Sequence, residues 1–410
     1  MSNNEMNNVK LAKIAIISFG LISLFGDIIY EGARSIIPSY LEVLLAPAVI
    51  VGFALGLGEF LGYALRLVSG PIADTTRAYW ALTIIGYCLL ISIPLLALTT
   101  NWQIAIILVI VERIAKAIRT PARDTLLSVT TRAYGRGKAF GLHELLDQVG
   151  AILGPTIVVV SIFYYSAHKV ELPEIFRNTF LILFIPYLCL LVVLTSGYLK
   201  MKTPTAEILK TTKRERIVEP LTKSFYLYSF AVLLNTAGLF PVALILYRAT
   251  PTLLEAIWGV ALLYLLVQAV DAIFAVIAGF AYDKFGIKFL SIPFLLSIFP
   301  AVFIAFSFIY NTLSFIFIVI SAAVFGIILG MQESIYRAAV ADLTGITKRG
   351  TGYGIFNAMY GFGFLIGGTI FGYFLDKISM GYLVYASFMV WYSIVLQILS
   401  LVFLLMSVKK

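Results

Sequence analysis

The chain alternates between long apolar segments and short polar connections. Apolar runs of about 20 residues recur along all 410 positions, and each is long enough to cross the ~30 Å hydrocarbon core of a bilayer as a helix. The runs are continuous rather than alternating in short segments, which excludes a transmembrane β-barrel. The pattern predicts twelve transmembrane spans, at approximately 12–40, 47–69, 79–99, 102–122, 138–162, 176–199, 223–248, 253–281, 287–309, 313–340, 350–374 and 382–407.

Composition separates this chain from water-soluble proteins. It is 61% hydrophobic and 12% charged, whereas soluble domains average about 45–50% apolar and about 25% charged residues. We therefore predict an all-α polytopic membrane protein embedded in the lipid bilayer. The first apolar run contains ionisable residues and ends in no small-residue cleavage site, so it predicts a membrane helix rather than a signal peptide.

The sparse histidines and cysteines predict no metal site and no cofactor. His143 and His168 are the two histidines, and Cys88 and Cys189 fall inside apolar runs without metal-ligand spacing. A membrane-embedded lipid-modifying enzyme would need a dense catalytic cluster, and a non-transporting sensor would need a signalling domain; we expect neither. The net charge of +9 does not indicate nucleic-acid binding, because in a membrane protein basic charge follows topology.

Basic residues concentrate in the loops on one side of the predicted spans. Those loops and both chain ends carry Lys10, Lys13, Arg77, Arg119, Arg123, Arg132, Arg136, Lys138, Lys200, Lys202, Lys210, Lys213, Arg214, Arg216, Lys284, Lys288, Lys348, Arg349, Lys409 and Lys410. The opposite loops carry Lys169, Arg177, Arg248 and Lys377, with Arg34 near the end of its span. Because cytoplasmic loops are enriched in lysine and arginine, both termini are predicted to be cytoplasmic, in the cell (plasma) membrane.

The two halves of the chain resemble each other. Gly141, Gly150 and Gly154 recur 213 positions later as Gly354, Gly363 and Gly367. A duplicated set of six spans in one orientation is a known plan of secondary transporters, whose substrate site lies between the halves near the membrane midplane. We predict an N-terminal six-helix bundle at 1–199, a cytoplasmic linker at 200–222 and a C-terminal six-helix bundle at 223–410. The sequence gives no sign of obligatory oligomerisation, so we expect a monomer.

The loop between the second and third spans resembles a signature of the major facilitator superfamily, Gly-x-x-x-Asp-[Arg/Lys]-x-Gly-[Arg/Lys]. The first copy contains Gly70, Asp74 and Arg77, and the second-half copy contains Gly279, Asp283 and Lys284. The second copy fits better, because the first lacks the basic residue after its aspartate and the second glycine. The resemblance covers the whole chain. It implies the two-bundle fold of that superfamily, a small-molecule substrate and a cytoplasmic gate at these loops.

The fifth span resembles a second signature, Gly-x8-Gly-x3-Gly-Pro-x2-Gly-Gly, which that superfamily associates with exporters. Gly141, Gly150, Gly154 and Pro155 match, whereas Val158 and Val159 replace the final pair. Small residues let helix backbones approach closely and proline bends a helix, so the motif also predicts helix packing. Together with the preceding Arg-x-Pro-x-Arg-Asp, the pattern resembles a prokaryotic branch of drug or metabolite efflux transporters.

Ionisable residues inside the spans are candidates for proton coupling or for the substrate cavity. A charge at the bilayer centre costs about 2.5–3.5 kcal/mol even on the mild insertion scale, so it must face water or a partner. One helical face of the first span carries Asp27, Glu31 and Arg34, and one face of the fourth carries Glu112, Lys116, Arg119 and Arg123. The resemblance implies that both spans line the central cavity.

Several of these charges allow more than one interpretation. Two neighbouring carboxylates such as Asp27 and Glu31 suit reversible protonation, because like charges disfavour a second ionisation. Arg34 could instead neutralise them permanently. Glu112, near the midplane, is a candidate proton carrier or a binder of a cationic substrate group.

Other candidates come from the remaining spans. Asp147 lies at a depth compatible with a pair to Arg113 or Lys116, which would either lock two helices or serve in coupling. Glu333 and Arg337, at i and i+4, favour a cytoplasmic gate pair. The remaining candidates are Glu59 and Asn235 for the cavity and Arg123 for the gate.

We therefore predict a secondary active transporter and not an enzyme. It would move a small organic molecule by alternating access, driven by protons or another coupling ion. The exporter signature favours proton-coupled antiport. Uptake by proton-coupled symport is the alternative.

Overall fold

The structure is a computed structural model that describes residues 3–131, 136–211, 221–345 and 349–408. Residues 212–220 of the predicted linker, Arg132 and Lys348 of the basic loops, and the outermost residues of both ends lie outside this part.

Helices dominate the first half of the described chain. They are α1 (Asn3–Arg34), α2 (Ile37–Val43), α3 (Ala48–Ala64), α4 (Arg66–Thr76), α5 (Tyr79–Cys88), α6 (Trp102–Thr130), α7 (Arg136–Ala167), α8 (Leu172–Ile182) and α9 (Phe184–Thr211). Two 3-10 turns, Leu89–Ser92 and Pro94–Leu98, follow α5. Prolines at 71, 121, 155 and 204 lie inside α4, α6, α7 and α9, respectively.

The second half has the same all-helical character. Its helices are α10 (Lys223–Ala237), α11 (Val242–Ala249), α12 (Trp258–Phe285), α13 (Ser291–Leu296), α14 (Phe299–Ile309), α15 (Ser314–Met331), α16 (Arg337–Leu343), α17 (Arg349–Ser379) and α18 (Val384–Val408). Short 3-10 turns occupy Thr250–Thr252, Leu254–Ala256, Gly286–Leu290 and Asn311–Leu313. A π-helical turn, Gln332–Tyr336, joins α15 to α16.

Ten helical segments among the described residues are long and apolar enough to cross a membrane. They are Leu11–Val43, Ala48–Thr76, Tyr79–Leu98, Gly141–Ala167, Leu172–Glu207, Lys223–Thr252, Trp258–Ile309, Asn311–Leu343, Gly350–Ser379 and Val384–Val408. The segment Trp258–Ile309 has 52 residues, which is enough for two crossings at ~20 residues each. Helix α6 is not among the ten; it has the length, but ionisable residues interrupt its apolar sequence. A multi-helix membrane protein is confirmed, and the count of twelve spans stays a prediction.

Several predicted spans are interrupted. The seventh contains a break between Ala237 and Val242, where Pro241 has no N–H to donate and restrains the residue before it. The ninth consists of α13 and α14, and Pro300 occupies the first turn of α14, a position that tolerates proline. The tenth continues through the π-helical turn, a local irregularity that is common at functional sites.

Packing divides the chain into two compact units. Unit 1 comprises Met1–Arg34, Leu65–Thr100 and Ile107–Arg216, and unit 2 comprises Ser35–Ala64, Asn101–Ile106 and Ile217–Lys410. In unit 1, α1 packs along α7 and α9; in unit 2, α3 and α10 pack along α17, and α12 packs along α15. Helices α2 and α3 thus pack with the later part of the chain. The division at 199 and 223, which rests on the repeat and the linker, stays a prediction.

Glycines set the closest helix contacts in unit 1. A Cβ at Gly150 would lie 2.6 Å from the Leu24 carbonyl oxygen, and one at Gly154 would lie 2.5 Å from the Ile28 carbonyl oxygen. The backbones of α7 and α1 therefore touch at these two positions. Gly141 behaves differently, since a Cβ there would meet no described atom within 4 Å.

Candidate functional site

The charged face of α1 lies inside unit 1. The Glu31 carboxylate is buried, and the Arg34 guanidinium contacts it with Nη1 3.0 Å from Oε1. Asp27 lies one turn earlier and is half-buried. Its Cβ packs against α7, where a Cβ at Gly150 would lie 2.9 Å away. Arg34 thus neutralises Glu31 directly, while Asp27 faces the neighbouring helix.

Glu112 on α6 is held between two arginines. Its Oε2 lies 3.3 Å from Arg113 Nε, and its Oε1 lies 3.8 Å from Arg119 Nη2. All three side chains are buried. Arg119 reaches this place beside Gly86, where a Cβ would lie 2.5 Å from Arg119 Cβ, and its guanidinium sits 5.0 Å from the centre of the Tyr87 ring. These ion pairs favour a structural role for Glu112.

Lys116 connects α6 electrostatically to the α1 face. Its Nζ lies 4.0 Å from the centre of the Tyr30 ring, a cation–π geometry. The charges acting on the ammonium include Glu31 and Asp27 of α1. Lys116 is therefore a cation of α6 that acts on both α1 carboxylates.

Arg123, a predicted gate residue, is the hub of a polar cluster between α1, α5 and α6. Its Nη1 donates to Ser23 Oγ at 3.0 Å and to the Tyr87 hydroxyl at 3.4 Å. Its Nε and Nη2 contact Asp124 Oδ1 at 2.9 and 2.8 Å. Asp147 on α7 joins the cluster, because Ser23 hydrogen-bonds to it and Arg123 acts on its charge.

Two carboxylates therefore lie near the same contact between α1 and α7, because Asp27 packs at Gly150, three residues after Asp147. Asp147 is the strongest charged influence on Asp27, followed by Lys116 and Glu31. Of the cations acting on Asp147, Arg123 has the largest effect and Lys116 the next. The predicted partner Lys116 is thus one of the cations that act on Asp147, and Arg123 has the larger effect.

The other predicted cavity residues, Asn235 and Glu59, belong to unit 2. Asn235 is fully buried, and its amide donates to Ser297 Oγ at 3.1 Å and to Gln397 Oε1 at 2.7 Å. Its Oδ1 accepts hydrogen bonds from Tyr336 at 2.8 Å and Gln332 at 3.4 Å. These contacts join α10, α18 and the π-helical turn. Glu59 is half-buried on α3.

The predicted gate loops adopt related turns. In the first copy, Asp74 Oδ1 accepts a hydrogen bond from the Tyr79 hydroxyl at 2.9 Å, and Arg77 takes a left-handed φ of 55°. In the second copy, Gly286 takes a φ of 63°. Both turns thus need a positive φ, which glycine supplies without strain and Arg77 must accept. Four of the remaining predicted gate residues are exposed: Asp283, Lys284, Glu333 and Arg337. Gly70 packs near α6, because a Cβ at this position would lie 3.7 Å from Pro121 Cβ.

Sequence reasoning missed the uncharged members of both clusters. In unit 1 these are Ser23 and Tyr87; in unit 2 they are Gln397, Gln332 and Ser297. The hydroxyl of Tyr360 also belongs to the cluster of unit 2, since it donates to Gln332 Oε1 at 3.0 Å. The offset of 213 positions between the two repeats was the sequence signal that could have identified members of the second cluster from the first. Arg119 and Gln332, like Arg123 and Tyr336, stand 213 positions apart.

A family comparison assigns the class of protein that carries these clusters. Residues 15–247, more than half of the chain, match the family model of the Major Facilitator Superfamily. The chain belongs to the major facilitator superfamily. It is accordingly a membrane transporter and not an enzyme, and its buried polar clusters belong to a carrier.

Relatives at several distances agree with this membership. An uncharacterized protein of Mycobacterium tuberculosis is 36% identical over 375 residues, covering 89% of this chain and 87% of that protein. An uncharacterized MFS-type transporter of Methanocaldococcus jannaschii is 28% identical over 388 residues, covering 92% of each chain. A shorter match, 32% identical over 119 residues and 29% of each chain, is to multidrug resistance protein MdtH of Photorhabdus laumondii.

Solved structures share the fold at low identity. The nucleoside transporter NupG superposes with a TM-score of 0.71 at 15% identity, covering 97% of this chain and 100% of that chain. The D-xylose-proton symporter superposes with a TM-score of 0.63 at 15% identity, covering 95% and 97%. At these identities the likeness establishes the major facilitator fold alone.

Proposed function

We propose that this major facilitator transporter exports a small organic molecule in exchange for protons, with Asp27 and Asp147 as the coupling pair. The observation that carries this proposal is the pairing of two carboxylates across the contact between α1 and α7. The charge of Asp147 acts on Asp27, and Lys116 acts on both carboxylates. Two like charges in one site disfavour double ionisation, so a single proton can be held there and released.

Glu112 does not carry protons in the proposed mechanism. A carrier must exchange its proton with water, whereas Glu112 is buried between two guanidinium groups with which it forms ion pairs. Glu31 is also buried and forms an ion pair with Arg34, whose side chain is partly exposed. Removing one partner of a buried ion pair strongly destabilises a protein, because the other charge is left buried without its counter-ion. This cost favours permanent ion pairs over cyclic protonation.

Two observations support the export direction. The glycine–proline pattern of α7 resembles the exporter signature, and the short match to MdtH, which is named a multidrug resistance protein, points the same way. The substrate of such an exporter is expected to be amphipathic or cationic. Uptake by symport is the competing direction, and the transport assay separates the two.

The membrane arrangement completes the proposal. We place twelve spans in two six-helix bundles, at 1–199 and 223–410, with the linker and both termini in the cytoplasm and the monomer in the plasma membrane. The excess of lysine and arginine in one set of loops supports this orientation. The carrier would cycle between outward and inward states, and proton binding would change their relative stability through differential affinity.

The proposal is tested with purified protein in liposomes that enclose a pH-sensitive dye. A panel of lipophilic cations, nucleosides and sugars is offered under an imposed pH gradient. Proton flux opposite to the substrate, lost in Asp27→Asn and in Asp147→Asn, is the expected result. Glu174→Gln is the matched control, since Glu174 is an exposed carboxylate paired with Arg177 at 3.7 Å. Flux in the same direction would establish symport, and transport indifferent to pH would overturn the coupling assignment.

A further inference from the structure

One buried titratable side chain has no part in the coupling pair. His143 lies on α7 one turn before Asp147 and is 3% exposed. Neither of its ring nitrogens has a hydrogen-bond partner among the residues that the structure describes. Its Nε2 lies 3.8 Å from Asp147 Oδ2. A buried imidazole without hydrogen bonds costs free energy, so its presence calls for a physical reason.

The surroundings of His143 are charged rather than apolar alone. Arg123 and Asp124 act on it from α6, and Glu144 acts on it from its own helix. Asp147 contacts it directly. Imidazole is the side chain that ordinarily changes charge between about pH 5 and 8. A protonated His143 ring would therefore have three carboxylates and one guanidinium as its charged neighbours.

Position along α7 orders the titratable groups. At 1.5 Å per residue from Arg136, His143 lies about 10 Å along the helix and Asp147 about 16 Å. Gly150, against which Asp27 packs, lies about 21 Å along it. The side chains thus form a series from the beginning of α7, the end that the basic loops assign to the cytoplasm, to the coupling pair.

We propose that His143 relays protons between Asp147 and the cytoplasm. The inference rests on the proposed proton coupling and extends it by a pathway. The proton on Asp147 Oδ2 passes to Nε2 of neutral His143, which leaves a carboxylate beside an imidazolium. The imidazolium then gives the proton on Nδ1 to water at the cytoplasmic end, which leaves a neutral ring with its hydrogen on Nε2. A flip of the ring turns the unprotonated nitrogen toward Asp147 for the next transfer. The 3.8 Å separation must shorten to about 3.2 Å or less for the first transfer, as catalytic hydrogen bonds often do only in the working state.

The first test follows the two histidines by NMR in purified, ¹⁵N-histidine-labelled protein, and it needs no substrate. The expected result is that the His143 ring changes charge when the pH is varied between about 2 and 9, and that Asp147→Asn moves the midpoint by at least about one pH unit. His168 is the matched control. It follows the last residue of α7, is exposed, and pairs through Nδ1 with the Tyr164 carbonyl at 2.8 Å. A His143 resonance that does not shift with pH would overturn the relay. A midpoint that is the same in the wild type and in Asp147→Asn would also overturn it.

The second test measures transport with ethidium as the probe. His143→Gln keeps a polar side chain but cannot carry the proton, so ethidium-driven proton flux should fall at least about tenfold. Ethidium counterflow, which requires no net proton movement, should stay unchanged. His168→Gln should alter neither. Equal losses of both activities would indicate a structural role for His143 and contradict the relay. Absence of proton flux in a wild-type protein that does catalyse ethidium counterflow would count against the coupling proposal itself, while the NMR titration still decides the contact between His143 and Asp147.

Discussion

Arg123 and Tyr336 stand 213 positions apart, and each donates a hydrogen bond to the first helix of its own repeat. Arg123 Nη1 donates to Ser23 Oγ at 3.0 Å, and the Tyr336 hydroxyl donates to Asn235 Oδ1 at 2.8 Å. Ser23 and Asn235 are 212 positions apart. Where the first repeat uses a cation, the second uses a neutral hydroxyl.

The same replacement occurs on the neighbouring helix of each repeat. Asp147 and Tyr360 are also 213 positions apart. Tyr360 donates to Gln332 Oε1 at 3.0 Å, whereas Asp147 interacts with Ser23, Arg123 and Asp27. One repeat thus retains groups whose charge can change, and the other has a hydrogen-bonded network that stays neutral. This difference supports placing the coupling chemistry in the first repeat.

We predict that Asn235→Ala destabilises the protein by at least about 2 kcal/mol. Gln397, Tyr336 and Ser297 would each lose a buried hydrogen bond, and an unsatisfied buried group costs about 1–3 kcal/mol. Thermal unfolding in detergent measures the change, with exposed Asn311→Ala as the control. If Asn235→Ala unfolded like the wild type but lost transport, Asn235 would instead be a substrate contact.

Glu112→Gln should destabilise the protein by about 3–5 kcal/mol, because it leaves Arg113 and Arg119 buried without their counter-ion. The exposed pair between Glu174 and Arg177 is the control, and Glu174→Gln should cost at most about 1 kcal/mol. Adding Arg119→Leu to Glu112→Gln should recover part of the loss. A stable Glu112→Gln protein with altered proton coupling would restore Glu112 as a proton carrier.

These two cases show what the sequence could and could not predict. The i, i+4 and i+7 spacing correctly places charges on one helical face, because helical periodicity is local. It does not identify the partner on another helix. Arg119 reaches Glu112 beside Gly86 of α5, and that approach depends on how closely two backbones pack.

The fold was predictable to a similar extent. Apolar runs predict helices because the bilayer core requires internal backbone hydrogen bonding. They do not predict breaks such as the one before Val242, nor the packing of α3 in unit 2, where a Cβ at Gly56 would lie 2.6 Å from the Phe364 carbonyl oxygen. Close backbone approaches depend on pairs of glycines far apart in the chain, and one sequence alone does not pair them.

Gly150→Ala and Gly141→Ala should have opposite effects on stability. The first would place a Cβ 2.6 Å from the Leu24 carbonyl oxygen and 2.9 Å from Asp27 Cβ, so α1 and α7 would have to separate. The Cβ added by Gly141→Ala would meet no described atom within 4 Å. Because alanine is favoured over glycine in a helix by about 1 kcal/mol, this substitution should stabilise the protein. Thermal unfolding of both variants against the wild type checks this. Equal effects of the two substitutions would show that Gly150 does not set the contact between α1 and α7.

Asp376 should stabilise the beginning of α3 from a distant helix. Its Oδ1 and Oδ2 accept hydrogen bonds from the backbone N–H groups of Ala48 and Val49 at 2.7 and 2.9 Å. A carboxylate at a helix N-terminus satisfies unpaired donors and complements the helix dipole. We expect Asp376→Ala to cost about 1 kcal/mol and to accelerate hydrogen exchange at those two amides.

Asp376→Asn separates the two contributions. The amide oxygen can still accept one hydrogen bond but carries no charge, so its effect on exchange at Ala48 and Val49 should be intermediate. Glu255→Ala, at an exposed carboxylate of unit 2, is the control and should leave these amides unchanged. Unaltered protection in Asp376→Ala would mean that the packing of α3 along α17 alone orders this end of the helix. Loss of protection confined to the first turn would instead show that one side chain of α17 fixes where α3 begins.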